Sequence, residues 1–182
     1  MIILENIHQA DFPLKWADLN SYRNSDSFRK EIYLKDDGNI IEELIFLFYT
    51  LFGKLKENLI IYDKSWWDFC LDTWNADKDQ YDYEIDTKSK ETQEYLKMLK
   101  ISSIELGFSG CCKCKDWDTF LPIILRCIVS HQAPYSPIFC DAVNDFFFYF
   151  HYSGSIGLYY KNENNTIKEL LENASDKYTL KS

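Results

Sequence analysis

The sequence predicts a single α+β domain spanning residues 1–182, a mostly antiparallel sheet with helices packed on one face. Three observations carry that expectation. Hydrophobic residues make up 46% of the chain and aromatic residues 17%, enough to fill one core and unlike any disordered composition. With 6 Gly and 4 Pro in 182 residues, little of the chain is linker, and the length suits one domain. From residue 103 onward the apolar pattern runs strand, helix, three strands, helix, an order that suits α+β packing better than alternating parallel units.

Residues 1–37 mix one short apolar run with polar clusters, and predict an edge strand or short helices. Gly38 and Asn39 punctuate the start of a strong helix over 40–56. Its Ile40, Ile41, Leu44, Ile45, Leu47, Phe48, Leu51, Phe52 and Leu55 cover most of the circumference, so it is expected to be buried on more than one side. Leu59–Tyr62 reads as a short strand, 63–86 has no clear period, and 91–100 reads as a short amphipathic helix. Ser103–Phe108 alternates polar and apolar residues like a half-buried strand. Asp116 or Thr119 caps a helix running to about His131; with Thr119 as cap, Pro122 falls in the first turn, where its missing N–H costs little. Pro134 and Pro137 mark a loop, and Ile138–Cys140 starts a strand. Phe146–Tyr152 and Ser155–Tyr160 form a hairpin across Ser153-Gly154, and Asn164 or Asn165 caps a last amphipathic helix carrying Ile167, Leu170 and Leu171.

Charge narrows the function classes. The net charge is −9 and the sequence pI about 4.8, which argues against nucleic acid or anionic membrane as main partner, since both need a basic face. The opening run Met1–Ile7 lacks the positive region of a secretory signal. Ile40–Phe52 carries Glu42 and Glu43 and is shorter than the roughly 20 residues a membrane span needs. Six cysteines without an export signal are expected to be reduced thiols in a cytoplasmic protein.

Catalytic signals are absent. The sequence has no Gly-x-Ser-x-Gly, Gly-x-Gly-x-x-Gly, Walker loop or His-Glu-x-x-His, and none of His8, His131 and His151 lies near a Ser or Cys in a nucleophile context. Cys111, Cys112 and Cys114, with Cys127, His131, Cys140 and His151, invite a zinc site, because Cys111 and Cys114 have thiolate-pair spacing. A second pair is missing, and Cys127 and His131 sit one turn apart in an apolar helix; buried core thiols, no metal and no cofactor are the expectation.

One stretch stands out. Between Asp63 and Asp86 lie eight carboxylates against Lys64 and Lys78, two-thirds of the net charge in 24 residues. Trp66, Trp67, Phe69, Trp74, Tyr81 and Tyr83 are interleaved with them. Trp and Tyr anchor protein interfaces, and carboxylates steer a basic partner onto them. The expected partner-binding set is therefore Asp68, Asp72, Asp77, Asp79, Asp82, Glu84 and Asp86, with Trp66, Trp67, Trp74, Tyr81 and Tyr83 as anchors. A carboxylate array that replaces phosphates suits an inhibitor of a nuclease, which needs no catalytic residue of its own.

The C-terminal third adds a resemblance. Pro134-Tyr-Ser-Pro-Ile-Phe139 and Asn144-Asp-Phe-Phe-Phe-Tyr-Phe-His-Tyr-Ser-Gly-Ser-Ile-Gly-Leu-Tyr-Tyr-Lys-Asn162 resemble bacterial immunity proteins of polymorphic-toxin and contact-dependent growth-inhibition systems. The resemblance covers roughly 135–170. It implies a small cytoplasmic, non-enzymatic protein that binds the C-terminal toxin domain of a secreted effector and blocks its active site. The competing expectation is a small metal- or ligand-binding regulatory domain centred on the 111–114 cysteines and His151.

Overall fold

Phe146-Phe-Phe-Tyr-Phe-His151 forms a strand in which the first five residues are all buried. A strand sends successive side chains to opposite faces, so burial of both sets requires material on both sides of the sheet. The structure, a computed structural model, describes residues 2–35, 38–131 and 137–182. Along the chain it places β1 (Leu4–Asn6), β2 (Phe28–Tyr33), α1 (Ile40–Phe52), β3 (Ile60–Asp63), β4 (Trp74–Asn75), β5 (Gln80–Tyr81) and α2 (Lys90–Ile101). There follow β6 (Gly110–Cys114), α3 (Trp117–Ser130), β7 (Ile138–Asp141), β8 (Phe146–His151), β9 (Ser155–Tyr160), α4 (Asn165–Lys177) and β10 (Thr179–Lys181).

Eight strands form one sheet in the order β1-β6-β3-β7-β8-β9-β2-β10, every ladder antiparallel, while β4 and β5 make a separate two-stranded ribbon. The protein is α+β, and the four helices among the described residues lie on one face, as the sequence predicts. Phe146, Phe148 and Phe150 join Phe48, Phe52, Trp117 and Phe120 of the helices in the main core. Phe52 lies flat on Phe148 at 3.9 Å between ring centres. Each helix begins on a side-chain cap: Asn39 accepts from the amides of Ile41 and Glu42, Ser89 from Thr92, Asp116 from Thr119 and Asn164 from Ile167.

The opposite face carries a smaller core of Leu14, Tyr62, Cys111, Ile138, Cys140, Phe147, Tyr149 and Tyr159. Its cover is irregular chain between β1 and β2, where Phe12, Trp16 and Tyr22 each set a ring within 5.8 Å of Phe147. Trp16 Nε1 donates to Asp145 at 2.9 Å and pins this cover to the β7–β8 turn. Within 1–37 the expected edge strand is β1; β2, by contrast, lies between β9 and β10.

Three expectations need correction. The strand expected at Ser103–Phe108 is at Gly110–Cys114 instead, because Ser103 and Gly107 adopt positive φ of 55° and 80° and turn the chain there. Asp116, one of the two expected caps, starts α3, so Pro122 lies not in the first turn but sixth in the helix and withholds an N–H from the Asp118 carbonyl. The β8–β9 turn contains Tyr152 as well as Ser153 and Gly154, with Gly154 at φ 89° and its amide on the His151 carbonyl. The loop expected at Pro134 lies outside the described residues, as do Tyr135 and Ser136; Pro137 directly precedes β7.

Close approach requires a glycine at position 157. Gly157 pairs with Tyr149 across the β8–β9 ladder, and a Cβ there would meet the Tyr149 ring at 2.5 Å. Tyr149, 3% exposed, lays its phenol over the glycine and would have to shift to admit a methyl. Gly157→Ala is therefore expected to destabilise by about 1–3 kcal/mol, the usual penalty for overpacking a core. Denaturant unfolding of a double-mutant cycle checks this: in the Tyr149→Ala background the added methyl is expected to cost almost nothing. Equal penalties in both backgrounds would contradict the assigned contact.

Candidate functional site

The acidic, aromatic stretch folds as a chain of short turns, which explains its missing period. After β3 the chain makes 3₁₀ turns at Trp66–Asp68 and Leu71–Thr73, then the β4–β5 ribbon, then a third turn at Ile85–Thr87 that leads into α2. In the ribbon, Trp74 pairs with Tyr81 and Asn75 with Gln80. Lys78 donates its amide to Asn75 Oδ1 at 3.1 Å, and Asp79 closes the turn at φ 51°, a conformation that short polar side chains tolerate. Asp82 extends the pairing through its amide to the Thr73 carbonyl at 2.8 Å.

This fold sorts the expected binding residues into two groups. Trp66 and Trp67 are core residues, correcting their expected role as anchors. Trp66 is fully buried, its indole N–H donating to the Gly110 carbonyl at 2.9 Å, and Trp67 donates to the Ile104 carbonyl at 3.2 Å. A buried indole with its N–H satisfied offers nothing to a partner. Asp68 is spoken for internally, accepting from the hydroxyls of Ser65 and Tyr83. Half-buried Tyr83 packs edge-on against Trp67, with ring centres 5.6 Å apart. Asp72 accepts from the Thr92 hydroxyl at 2.5 Å and the Ser89 amide at 2.8 Å, tying the ribbon to the start of α2. Asp82 accepts from the Glu84 amide and lies 4.0 Å from Lys88.

The second group faces outward. Trp74 is 45% exposed and Tyr81 46%, their rings in edge contact at 5.0 Å. Leu71, 65% exposed, belongs with them, although charge and aromatic counting passed over it. Asp77, Asp79, Glu84 and Asp86 are exposed, and none forms an ion pair among the described residues. An open groove of about 420 Å³ runs between the ribbon and Thr87–Lys88, with Trp74, Asp77, Asp82 and Glu84 in its walls. Exposed aromatics ringed by unpaired carboxylates can bury apolar area against a partner while pairing with its Lys and Arg.

The cysteines divide between environments. Strand alternation along β6 sends Cys112 and Cys114 to the helix-side core and Cys111 to the opposite one, so the pair with zinc-like spacing straddles the sheet. Burial pushes the Cys112 and Cys114 thiols up to about 12, away from the thiolate a metal needs. Among the described residues no group of three or more His, Cys, Asp or Glu side chains converges as a metal site would require.

One cluster escaped sequence reasoning. His131, at the end of α3, brings Nε2 within 3.3 Å of Ser89 Oγ and 3.2 Å of Thr92 Oγ1, across about forty residues of sequence. Asp72 bonds Thr92 and Ser89 rather than the imidazole, so the Asp–His–Ser order of an activated hydroxyl is not reproduced. His151 bonds Ser153 within its own turn at 2.6 Å. Comparisons with protein-family models, curated proteins and solved structures found no match. Among the described residues, no helix is long and apolar enough to cross a membrane.

The Asp72 junction has a pH signature. Burial raises its carboxyl, but bonds from Thr92 and Ser89 and the nearby His131 together outweigh burial and hold it below the ordinary value. A carboxylate depressed in the folded state stabilises fully above its unfolded value of about 3.9 and loses that contribution as pH falls through the folded value. Asp72→Asn is expected to lower stability at neutral pH and to flatten the loss of stability between about pH 5 and pH 2. Urea unfolding across that range checks it, and parallel wild-type and variant profiles would contradict the assignment.

Proposed function

We propose that this protein is an immunity protein: a non-enzymatic inhibitor that binds the basic C-terminal toxin domain of a secreted effector and covers its active site. The observation that carries the reading is the pair Trp74 and Tyr81, both nearly half exposed on a small ribbon and surrounded by Asp77, Asp79, Glu84 and Asp86. Large aromatics are normally withdrawn from water, and most aromatic residues of this chain are. Exposure of two together, where carboxylates outnumber Lys78 and Lys88, is the pattern of a docking surface.

The chemistry follows from that surface. With a net charge of −9, the protein attracts a basic domain, and the concentration of carboxylates near the ribbon orients the encounter. Trp74, Tyr81 and Leu71 then lose their water and supply apolar area, while Asp77, Asp79, Glu84 and Asp86 meet the guanidinium and ammonium groups that otherwise hold phosphates. A nuclease is the toxin class that presents such groups in its active site. The resemblance of 135–170 to immunity proteins points the same way, and binding in the cytoplasm, where such a nuclease would act, completes the reading.

The test is binding to the basic C-terminal domain of a secreted effector encoded beside this chain. A one-to-one complex is expected. Trp74→Ala with Tyr81→Ala should weaken it by about a hundredfold or more, as expected when two interface anchors are lost. Asp77→Asn with Asp79→Asn and Glu84→Gln should slow association and flatten its salt dependence with little change in dissociation. Thermal stability should move little in either variant, since the altered side chains are exposed. Unaltered affinity in the aromatic variant would overturn the assignment of the ribbon, and the absence of any complex would overturn the immunity reading.

A further inference from the structure

The face of the sheet opposite the helices holds a second concavity, which shares no residue with the ribbon groove. It encloses about 310 Å³, at the lower end of small-molecule sites, roughly 300–1,000 Å³. Its walls come from Leu19–Arg23 on one side and from Arg29 of β2, Tyr149 of β8 and Tyr159 of β9 on the other. Among the described residues no carboxylate lines it; its two guanidiniums are donors only, while three phenols, one hydroxyl and one carboxamide can donate or accept. In so acidic a chain, a concavity furnished this way stands out.

The register shows how it is built. Arg29 lies opposite Tyr159 across the β2–β9 ladder, and Glu31 opposite Gly157, which in turn faces Tyr149. The absent side chain of Gly157 lets Tyr149 lean across the sheet toward Tyr159 and Arg29. Arg29 pairs with Glu31 at 2.5 Å and lies 5.8 Å from the centre of the Tyr159 ring, and Ser155 fixes the other oxygen of Glu31 at 3.0 Å. The Arg29 Nε is buried and has no hydrogen-bond partner among the described residues. Arg23 is exposed at the rim and forms no ion pair among the described residues. Burial pushes the Tyr159 phenol above its ordinary value, while Arg29, a hydrogen bond from Tyr149 and Arg23 favour negative charge on its oxygen.

We propose that this pocket binds a small organic oxyanion carried on a flat ring, an aryl phosphate or aryl carboxylate. The oxyanion sits between Arg23 and Arg29, and the ring lies against Tyr22 and Tyr159. Glu31 neutralises part of Arg29, so Arg23 supplies the uncompensated charge that selects an anion over a neutral ligand. A guanidinium fork matches the two oxygens of either anion. The Ser21 hydroxyl and the Asn20 carboxamide complete the donor shell, and the tyrosine walls offer flat apolar surface to the ring.

An NMR titration of the whole chain with phenyl phosphate, benzoate, benzamide and inorganic phosphate tests this. At least one of the two aryl anions is expected to bind and to shift the amides of residues 19–23, 149 and 159. Phenyl phosphate ahead of benzoate would identify a dianion, and the reverse order a carboxylate. Benzamide and inorganic phosphate should bind at least about tenfold more weakly, because one lacks the charge and the other the ring. Arg23→Ala should weaken the aryl anion by about tenfold or more while leaving the fold intact, since Arg23 is exposed. Failure of both aryl anions to bind at millimolar concentration would overturn the proposal. So would equal binding of benzamide or of inorganic phosphate, or an Arg23→Ala variant that binds as wild type.

Discussion

Burial of β8 on both faces is the constraint on which the rest of the structure depends. Phe146, Phe148 and Phe150 project to one side and Phe147 and Tyr149 to the other, all 3% exposed or less. Truncating a single buried Phe to Ala costs about 3–5 kcal/mol, against a total stability of about 5–15 kcal/mol for a typical domain. Both faces must therefore be covered. The four helices cover the first, with Phe52 of α1 stacked on Phe148, and Phe139 of the neighbouring strand β7 stacks beside it. Phe12, Trp16 and Tyr22 cover part of the second around Phe147. Because irregular chain covers less than a helix layer does, the second face stays open toward β9 and β2, and the concavity beside Arg29 and Tyr149 lies there.

The same need for cover explains which parts of the fold were legible in the sequence. Helices α1, α2 and α4 carry periodicity and side-chain caps, and Asn39 and Asn164 mark two of the starts, although α1 stops at Phe52, short of the expected residue 56. The β8–β9 hairpin was legible from two aromatic runs around a glycine. Strand β6 was not, since Gly110-Cys-Cys-Lys-Cys114 lacks the β-branched residues that signal a strand, while Ser103–Phe108 alternates without being one. Leu106 in that turn is 62% exposed, so the alternation did not mark a buried face. The covering segment between β1 and β2 has no period because it is built of isolated turns, such as Ala17 bonded to Leu14 and the 3₁₀ turn at Tyr22–Asn24.

At the candidate site, charge was legible and direction was not. Eight carboxylates in 24 residues could be counted, but Trp66 and Trp67 carry the same letters as Trp74. What separates them is a run of 3₁₀ turns, each setting its side chains by local bonds with no repeat to read. The carboxylates split the same way. Asp68 and Asp72 hold the turns together by accepting hydroxyl and amide protons, whereas Asp77, Asp79, Glu84 and Asp86 face water. A loop rich in short-range carboxylate bonds is positioned firmly enough to present the remaining charges in a fixed array, which is what discrimination among basic partners requires.

Amide hydrogen exchange with and without the proposed basic toxin domain tests most directly the docking proposed for the β4–β5 ribbon. Exchange is expected to slow at residues 71–86, where the exposed turns have the least protection of their own. The strands β7, β8 and β9 are expected to exchange alike in both states. Protection confined to another surface, with 71–86 unchanged in the complex, would contradict the account.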